Sequence, residues 1–190
     1  MIRNATTEDV KSLFRLYKRV SLNKEKLSDP LYRASIQRSG FLLGGYTEED
    51  MKRLIEQSVC FLVYEQRANI LGFAIASTEK EYKDDQYKIW FDKNIKQIYY
   101  RNTSVSLLSI AVDPEVSGKG VAGKLLYVLE QKLKLQEFCY LFPVIAISPI
   151  TNCPSFVFHE KHGFERIATG IPRKLFGLCH YASVLLYKKL

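Results

Sequence analysis

One passage, IAVDPEVSGKGVAGKLL from Ile110 to Leu126, restricts what this chain can fold into more than any other. The residues leading into it, TSVSLLSIAV (103–112), are apolar and rich in β-branched side chains, and they predict a buried strand. Three glycines follow, Gly118, Gly120 and Gly123. Val121, Leu125, Leu129 and Leu133 then recur every four residues, which predicts a helix over VAGKLLYVLEQKLKL. A strand that turns through glycine into a helix presents backbone N–H groups with no intrahelical acceptor, backed by the helix dipole. Such a turn suits an anion, and glycine lets the anion approach the backbone closely. Lys119 and Lys124 either add positive charge there or are ordinary solvated lysines.

Two phosphate-binding patterns match these letters and fail in context. Gly118, Gly120 and Gly123 spell the dinucleotide fingerprint G-x-G-x-x-G, but that fold places its turn early, with several βα units after it and an acid about 20 residues on. Here about one βα unit follows, and the next strand, FPVIAISP, ends without a carboxylate. Gly118 to Lys124 also spell G-x-x-x-x-G-K, but the Ser or Thr that would hold Mg²⁺ is replaced by Leu125 on the buried helix face.

The rest of the chain reads as a mixed α/β layer in the order β-α-α-β-β-α-β-α-β-α-β-β. Ile2 to Asn4 forms a short strand, and TTEDVKSLFRLYKRV a helix capped through Thr6 and Asp9, with Val10, Leu13, Phe14 and Tyr17 on one face. Residues 21–46 are irregular, a mixture of helix fragments and loop. Thr47 caps the next helix, and VCFLVYEQRANILGFAIAS supplies two strands about a polar turn. Residues 79–99 are helix-like, with Tyr87, Trp90, Phe91 and Ile95 on one side. FPVIAIS is a second buried strand, PSFVFHEKH a short helix stopped at Gly163, and FERIATG and YASVLLYKK are closing strands.

The opening MIRNATTEDVK is polar and acidic, unlike a secretory signal, and no apolar run approaches the ~20 residues of a membrane helix; a cytoplasmic protein that does not engage membranes is expected. Cys60, Cys139, Cys153 and Cys179 are far apart with no C-x-x-C pair, so neither a zinc site nor a disulfide framework is expected, and no metal. The formal net charge of +8 favours an anionic partner. Its lysines are scattered among acids, as in EKEYKDDQYK, which argues for a polyanionic small molecule over nucleic acid.

Val112, Pro114, Gly118, Gly120, Val121, Ala122, Leu125 and Leu126 resemble the V-x-P-x-x-[RQ]-G-x-G-[IV]-[GA]-x-x-L-L signature of the GNAT acetyltransferase superfamily. Asn152, Ser155, Phe158, His159, Gly163 and Phe164 resemble its later N-x-x-[AS]-x-x-[LF]-[YH]-x-x-x-G-F element, one helix and one strand further on. IRNATTEDVKSLFRL also looks like the family's first strand and helix. The chain departs from the family at Ser117, where Arg or Gln is usual. What the resemblance implies is the GNAT acyl-CoA N-acyltransferase fold, a single domain over 1–190. Its central mixed sheet is splayed and flanked by helices, 21–46 and 79–101 are variable elaborations on the substrate side, and the final IPRKLFGLCHY loop is a third variable part there. It implies acetyl-CoA as cosubstrate, wedged between the TSVSLLSIAV and FPVIAIS strands. Its binding set would be Ile110, Ala111, Val112, Ser117, Gly118, Lys119, Gly120, Val121, Ala122, Gly123, Lys124, Asn152 and Ser155, with Ile110 and Val112 pairing backbone groups to the pantetheine arm.

The resemblance further implies direct transfer of acetyl to a primary amine, which needs an oxyanion stabiliser, a neutral amine and a proton for the departing thiolate. His159 stands where most members carry tyrosine and is the expected proton donor; the other reading is a ring that packs beside the cofactor or bonds a backbone carbonyl. His162 is expected on the exposed side of its helix and His180 near a strand end. Cys153 has no His–Asp company and is not expected to be a nucleophile. The strand lacks an acid, so the amine is deprotonated through a water relay or through Glu79, Glu81, Asp84 or Asp85. Tyr32, Phe41, Tyr46, Tyr82, Trp90, Phe91, Tyr99, Tyr100 and Phe176 either wall an acceptor pocket or pack core and lid. The expected acceptor is a small-molecule amine, amino-acid-like at most by lean. The alternatives are a protein N-terminus or lysine, in an open acidic groove, or a catalytically weak acyl-CoA-binding regulatory module. A homodimer is compatible with the family.

Overall fold

The computed structural model describes residues 1–79 and 88–190. Its strands are β1 (Ile2–Asn4), β2 (Cys60–Gln66), β3 (Asn69–Ser77), β4 (Lys88–Trp90), β5 (Ser104–Val112), β6 (Tyr140–Ser148), β7 (Glu165–Gly170), β8 (Arg173–Leu175) and β9 (Leu178–Lys189). The helices are α1 (Val10–Val20), α2 (Pro30–Ser39), α3 (Glu48–Gln57), α4 (Lys93–Tyr99), α5 (Val121–Leu135) and α6 (Cys153–Lys161). The strands form one sheet in the order β1-β2-β3-β5-β6-β9-β7-β4, with β8 paired to β9. All pairs are antiparallel except β5 with β6. A parallel pair requires a crossover, and α5 supplies it.

Alternation along the strands divides the core between two faces. Leu62, Ala74, Ala76, Leu141 and Ile145 pack under the Leu125, Leu129 and Leu133 row of α5. Their neighbours Phe61, Val63, Phe73 and Ile75 face Leu13, Leu16 and Tyr17 of α1 and Met51 of α3. Phe142 and Leu185 face Tyr99 of α4. The Thr47 cap forms as the sequence predicts: its hydroxyl accepts from Asp50 N at 3.1 Å, and Asp50 Oδ2 accepts from Thr47 N at 2.9 Å.

The sheet splits at its middle. β5 and β6 are in register only from Ser104↔Tyr140 to Leu107↔Pro143. Beyond that point β5 pairs with β3 alone and β6 with β9 alone. Two local causes coincide there. Pro143 has no N–H to continue the ladder, and the β3–β5 register slips between Ile75↔Ser109 and Ala76↔Leu107, leaving Leu108 as an extra residue that bends its strand. Asp113 N donates to Leu71 O at 2.8 Å, so Ala111 turns its N–H toward β3, and alternation sends those of Ile110 and Val112 into the split.

Two sequence expectations need correction. Residues 79–99 are not one helix: Lys88–Trp90 is a strand, because it finds β7 as a partner in the register Lys88↔Gly170 to Trp90↔Ala168. Among the described residues of this stretch the helix begins at Lys93, where Asp92 Oδ1 accepts from Asn94 N at 2.7 Å. The expectations for Glu81, Tyr82, Asp84, Asp85 and Tyr87 lie outside the described residues. The IPRKLFGLCHY segment is not a plain loop either. Arg173–Leu175 and Leu178 onward form a hairpin turning through Phe176 (φ 53°) and Gly177 (φ 72°), two successive left-handed residues of the kind a two-residue hairpin turn uses. Among the described residues no helix is long and apolar enough to cross a membrane.

Candidate functional site

The split leads directly to the glycine loop. Asp113 directly follows β5, and its Oδ1 accepts from Glu115 N at 3.0 Å to start the short 3-10 turn Pro114–Val116. Asp113 is buried, and Arg19 at the end of α1 reaches it at 2.7 Å and Glu115 at 3.3 Å. This clasp, absent from the sequence reading, ties the loop to α1; its only sequence signal is a carboxylate between Val112 and Pro114. Ser117, Gly118, Lys119 and Gly120 are exposed. Gly118 and Gly120 have φ of +75° and +77°, which L side chains rarely adopt, and a Cβ on either would meet no atom within 4 Å. Their glycines are therefore demanded by backbone conformation, and the space before them is open.

Gly120 is the N-cap of α5 and offers no side chain to its first N–H groups, those of Val121, Ala122 and Gly123. Lys124 N already bonds Gly120 O at 3.1 Å, and Lys119 Nζ folds back onto Glu115 O at 2.8 Å. An uncapped, exposed helix start at the end of a strand whose free edge faces a split can take an elongated ligand with an anionic group at one end. Gly123 behaves differently. A Cβ there would lie 3.2 Å from His162 Nε2, so its missing side chain makes room for an imidazole. His162 is accordingly half-buried, not on the exposed side of its helix. Its Nδ1 lies 2.7 Å from Phe158 O, and its ring packs on that of Phe158 at 4.3 Å. His180 is exposed on β9.

On α6, His159 is 2% exposed, with the rings of Phe158 and Phe164 edge-on at 5.1 and 5.0 Å. Nδ1 is 2.7 Å from Ser155 O, and since a carbonyl can only accept, this nitrogen carries the proton. Nε2 is buried without a hydrogen-bond partner. Burial pushes the pKa down to about 4, against a smaller upward pull from the Ser155 carbonyl, so the ring is neutral at physiological pH. An imidazolium proton donor does not fit this geometry; a ring that bonds a backbone carbonyl does. Ser155 Oγ lies 3.4 Å from the same Nδ1.

Asn152 is also buried. Its Nδ2 donates to Phe41 O at 2.7 Å, its Oδ1 accepts from Ser155 N at 3.4 Å, and its N donates to Ala146 O at 3.0 Å. The side chain thus clamps the segment after α2 onto α6, an internal role the sequence did not suggest. Glu79 is exposed, with its N donating to Ser77 Oγ at 3.1 Å. Most of the aromatics pack internally: Phe41 is buried, Tyr46 lies on Tyr17 at 5.3 Å, and Tyr99 meets Phe142 at 5.0 Å; Phe91 and Tyr100 are exposed.

The profile of the acetyltransferase (GNAT) family matches residues 22–164. No curated protein matches the chain in sequence. Among solved structures, it is similar to the ribosomal-protein-alanine N-acetyltransferase of Brucella melitensis (TM-score 0.69, 18% identity, 100% of this chain and 99% of that one). It is also similar to an N-acetyltransferase of Staphylococcus aureus Mu50 (TM-score 0.63, 21% identity, 100% and 97%). A third similar structure is the PaiA N-acetyltransferase of Thermoplasma acidophilum in complex with coenzyme A (TM-score 0.64, 16% identity, 100% and 98%).

Proposed function

The chain belongs to the GNAT acetyltransferase family, and from that premise we propose that it transfers acetyl from acetyl-CoA to the primary amine of a small molecule. The observation that carries this reading is the parting of β5 and β6 after Leu107↔Pro143, directly upstream of the uncapped start of α5. The residues fit the cosubstrate. Backbone N–H groups from Gly120 to Gly123 receive the pyrophosphate, Ile110 and Val112 offer free strand edge to the pantetheine amides, and Lys119 and Lys124 lie close in sequence to the loop. Ser117 is too short to replace an arginine on the phosphates, so backbone donors carry that contact.

Acetyl transfer forms the amide C–N bond and breaks the thioester C–S bond. The attacking amine must be neutral, an N–H at the split stabilises the oxyanion, and the thiolate leaves with a proton. His159 is neutral, and its one N–H is engaged by Ser155 O, so the thiolate takes its proton from solvent or from the ammonium formed in the attack. Titration calorimetry with acetyl-CoA, NAD and Mg-ATP tests the cosubstrate, and release of free CoA across a panel of amines tests the transfer. Binding of acetyl-CoA alone with turnover of at least one amine is the expected result. Tight binding with no turnover would leave an acyl-CoA-binding module, and binding of NAD or ATP instead would overturn the reading.

A further inference from the structure

Beyond its last pairing with β6, β5 carries a polar side chain for which an apolar strand has no packing use. The slip that leaves Leu108 as an extra residue also resets the alternation of the strand. Leu107 packs on the α5 side, and strict alternation from it would put residue 109 on that side too. Instead Leu108 and Ala111 pack with α1, and Ile110 and Val112 with α5. Ser109 stands opposite Ile75, whose side chain faces α1. The bulge thus turns the Ser109 hydroxyl to the face away from α5. Ser109 directly precedes Ile110, whose N–H enters the split, and lies two residues past Leu107, the last β5 residue paired with β6.

Ser109 is 5% exposed, and no hydrogen bond joins its hydroxyl to another described residue. The neighbouring buried serines of β3 and β5 on this face differ. Ser104 Oγ donates to Ile98 O at 2.6 Å, and Ser77 Oγ accepts from Glu79 N at 3.1 Å. Ser106 pairs with Phe142, in the half of the sheet where β5 and β6 are still joined. A buried hydroxyl without a partner is destabilising in apolar surroundings, and alanine or valine would fill the position without that penalty. Of these serines, only Ser109 stands where β6 has parted from β5, so that a group entering the split meets it.

We propose that Ser109 belongs to the acceptor site: its Oγ accepts a hydrogen bond from the attacking amine and aims the nitrogen lone pair at the acetyl carbon. The proposal rests on the transferase reading above and gives its reacting centre a side chain. With the anionic end of the cosubstrate at the start of α5 and its arm along the β5 edge, the amine approaches from the face to which Ser109 points. As the C–N bond forms, the nitrogen becomes cationic and the acetyl oxygen anionic. As the C–S bond breaks, the thiolate leaves and the nitrogen loses one proton, to the thiolate or to solvent. A primary amine has two N–H groups at that stage: one is lost, and the other stays on Ser109 Oγ and becomes the amide N–H. A hydrogen bond from a cationic nitrogen is shorter and stronger than one from a neutral amine, so Ser109 holds the transition state more tightly than the bound acceptor.

The test compares Ser109→Ala with the wild-type protein on an amine that the latter turns over, by release of free CoA. In the variant kcat should fall about tenfold or more, while KM for the amine changes by less than about threefold. The Kd for acetyl-CoA should stay within about twofold, since the hydroxyl points away from the glycine loop. A second measurement needs no variant and stands even if Ser109→Ala fails to fold. In a crystal of the wild-type protein with CoA and that amine, the amine nitrogen should lie about 3 Å from Ser109 Oγ. An unchanged kcat in Ser109→Ala, or an amine nitrogen held by another side chain, overturns the proposal and leaves the transferase reading intact. If acetyl-CoA binds and the wild-type protein turns over no amine, the transferase reading falls, and the role of Ser109 falls with it.

Discussion

On the α5 side of the parted strands, the groups that face outward belong to the backbone: the free edge of Ile110 and Val112, and the helix start after Gly120. On the opposite face they are side chains, Lys88, Thr169 and Arg173, carried by strands that meet only in the folded sheet. A backbone site is specified by where glycine and proline stand, and it recognises a ligand common to a whole family. A side-chain site is specified residue by residue and can change without disturbing the sheet. On the proposed reading the first would hold a constant partner and the second a variable one, and the contrast can be tested from each side.

The largest expected effect is on the backbone side. Gly120→Val places a β-branched residue at φ +77°, a strain on the order of 1–3 kcal/mol, although no neighbour crowds the new side chain. The loop should relieve it by moving. Acetyl-CoA affinity should fall roughly 10- to 100-fold by calorimetry, at about 1.4 kcal/mol per decade, with little change in far-UV circular dichroism. Unaltered affinity would mean that the phosphates sit elsewhere.

His159 tests whether its own side of the sheet contributes a titrating acid. Its folded pKa of about 4 lies below the ordinary 6.5, so between those values the unfolded chain binds more protons. Stability is therefore full above pH 6.5 and is lost as pH falls toward 4, by about 2 kcal/mol at pH 5. Urea denaturation at pH 7.5 and pH 5 should show this loss, and His159→Gln should flatten it. The pH–rate profile should have the same shape in both proteins; a limb near 6.5 that vanishes in the variant would restore the histidine as a proton donor.

This contrast also explains what could be read in advance. The glycine loop and α5 were legible because their constraints are local: a positive φ demands Gly118 and Gly120, and a four-residue repeat buries Leu125 and Leu129. The split was legible through family resemblance, although Pro143, which stands at it, is visible in FPVIAIS. The strand Lys88–Trp90 was not legible, because its partner lies some 80 residues away at Ala168–Gly170 and its aromatics fit a helical spacing equally well. Asp92 as a cap was the local sign that the helix begins later. Asn152 was assigned to the cofactor by motif, and nothing in the sequence announces the carbonyl of Phe41 as its partner.

Asn152→Ala carries the comparison across the sheet, since it leaves Phe41 O buried without its donor. A cost of about 1–2 kcal/mol is expected, read as a lowered melting temperature. The loosened segment is the one after α2, so acceptor KM should rise more than the Kd for acetyl-CoA. The reverse pattern would return Asn152 to the cofactor.

The smallest effect is expected at Gly123, and it separates the third glycine from the other two. Its φ is not positive, and what a Cβ meets there is His162 Nε2 at 3.2 Å, a contact that asks the ring to yield by a few tenths of an ångström. Alanine also favours the helix by up to about 1 kcal/mol over glycine. Gly123→Ala should therefore change stability by less than about 0.5 kcal/mol, the two terms opposing, and should leave acetyl-CoA affinity within about twofold. Removing the ring as well separates the terms. In a cycle with His162→Ala, the alanine at 123 should become stabilising by several tenths of a kcal/mol, the non-additivity expected of residues in contact. If Gly123→Ala instead weakens acetyl-CoA as Gly120→Val does, the close approach at this glycine belongs to the ligand, and His162 is only a neighbour.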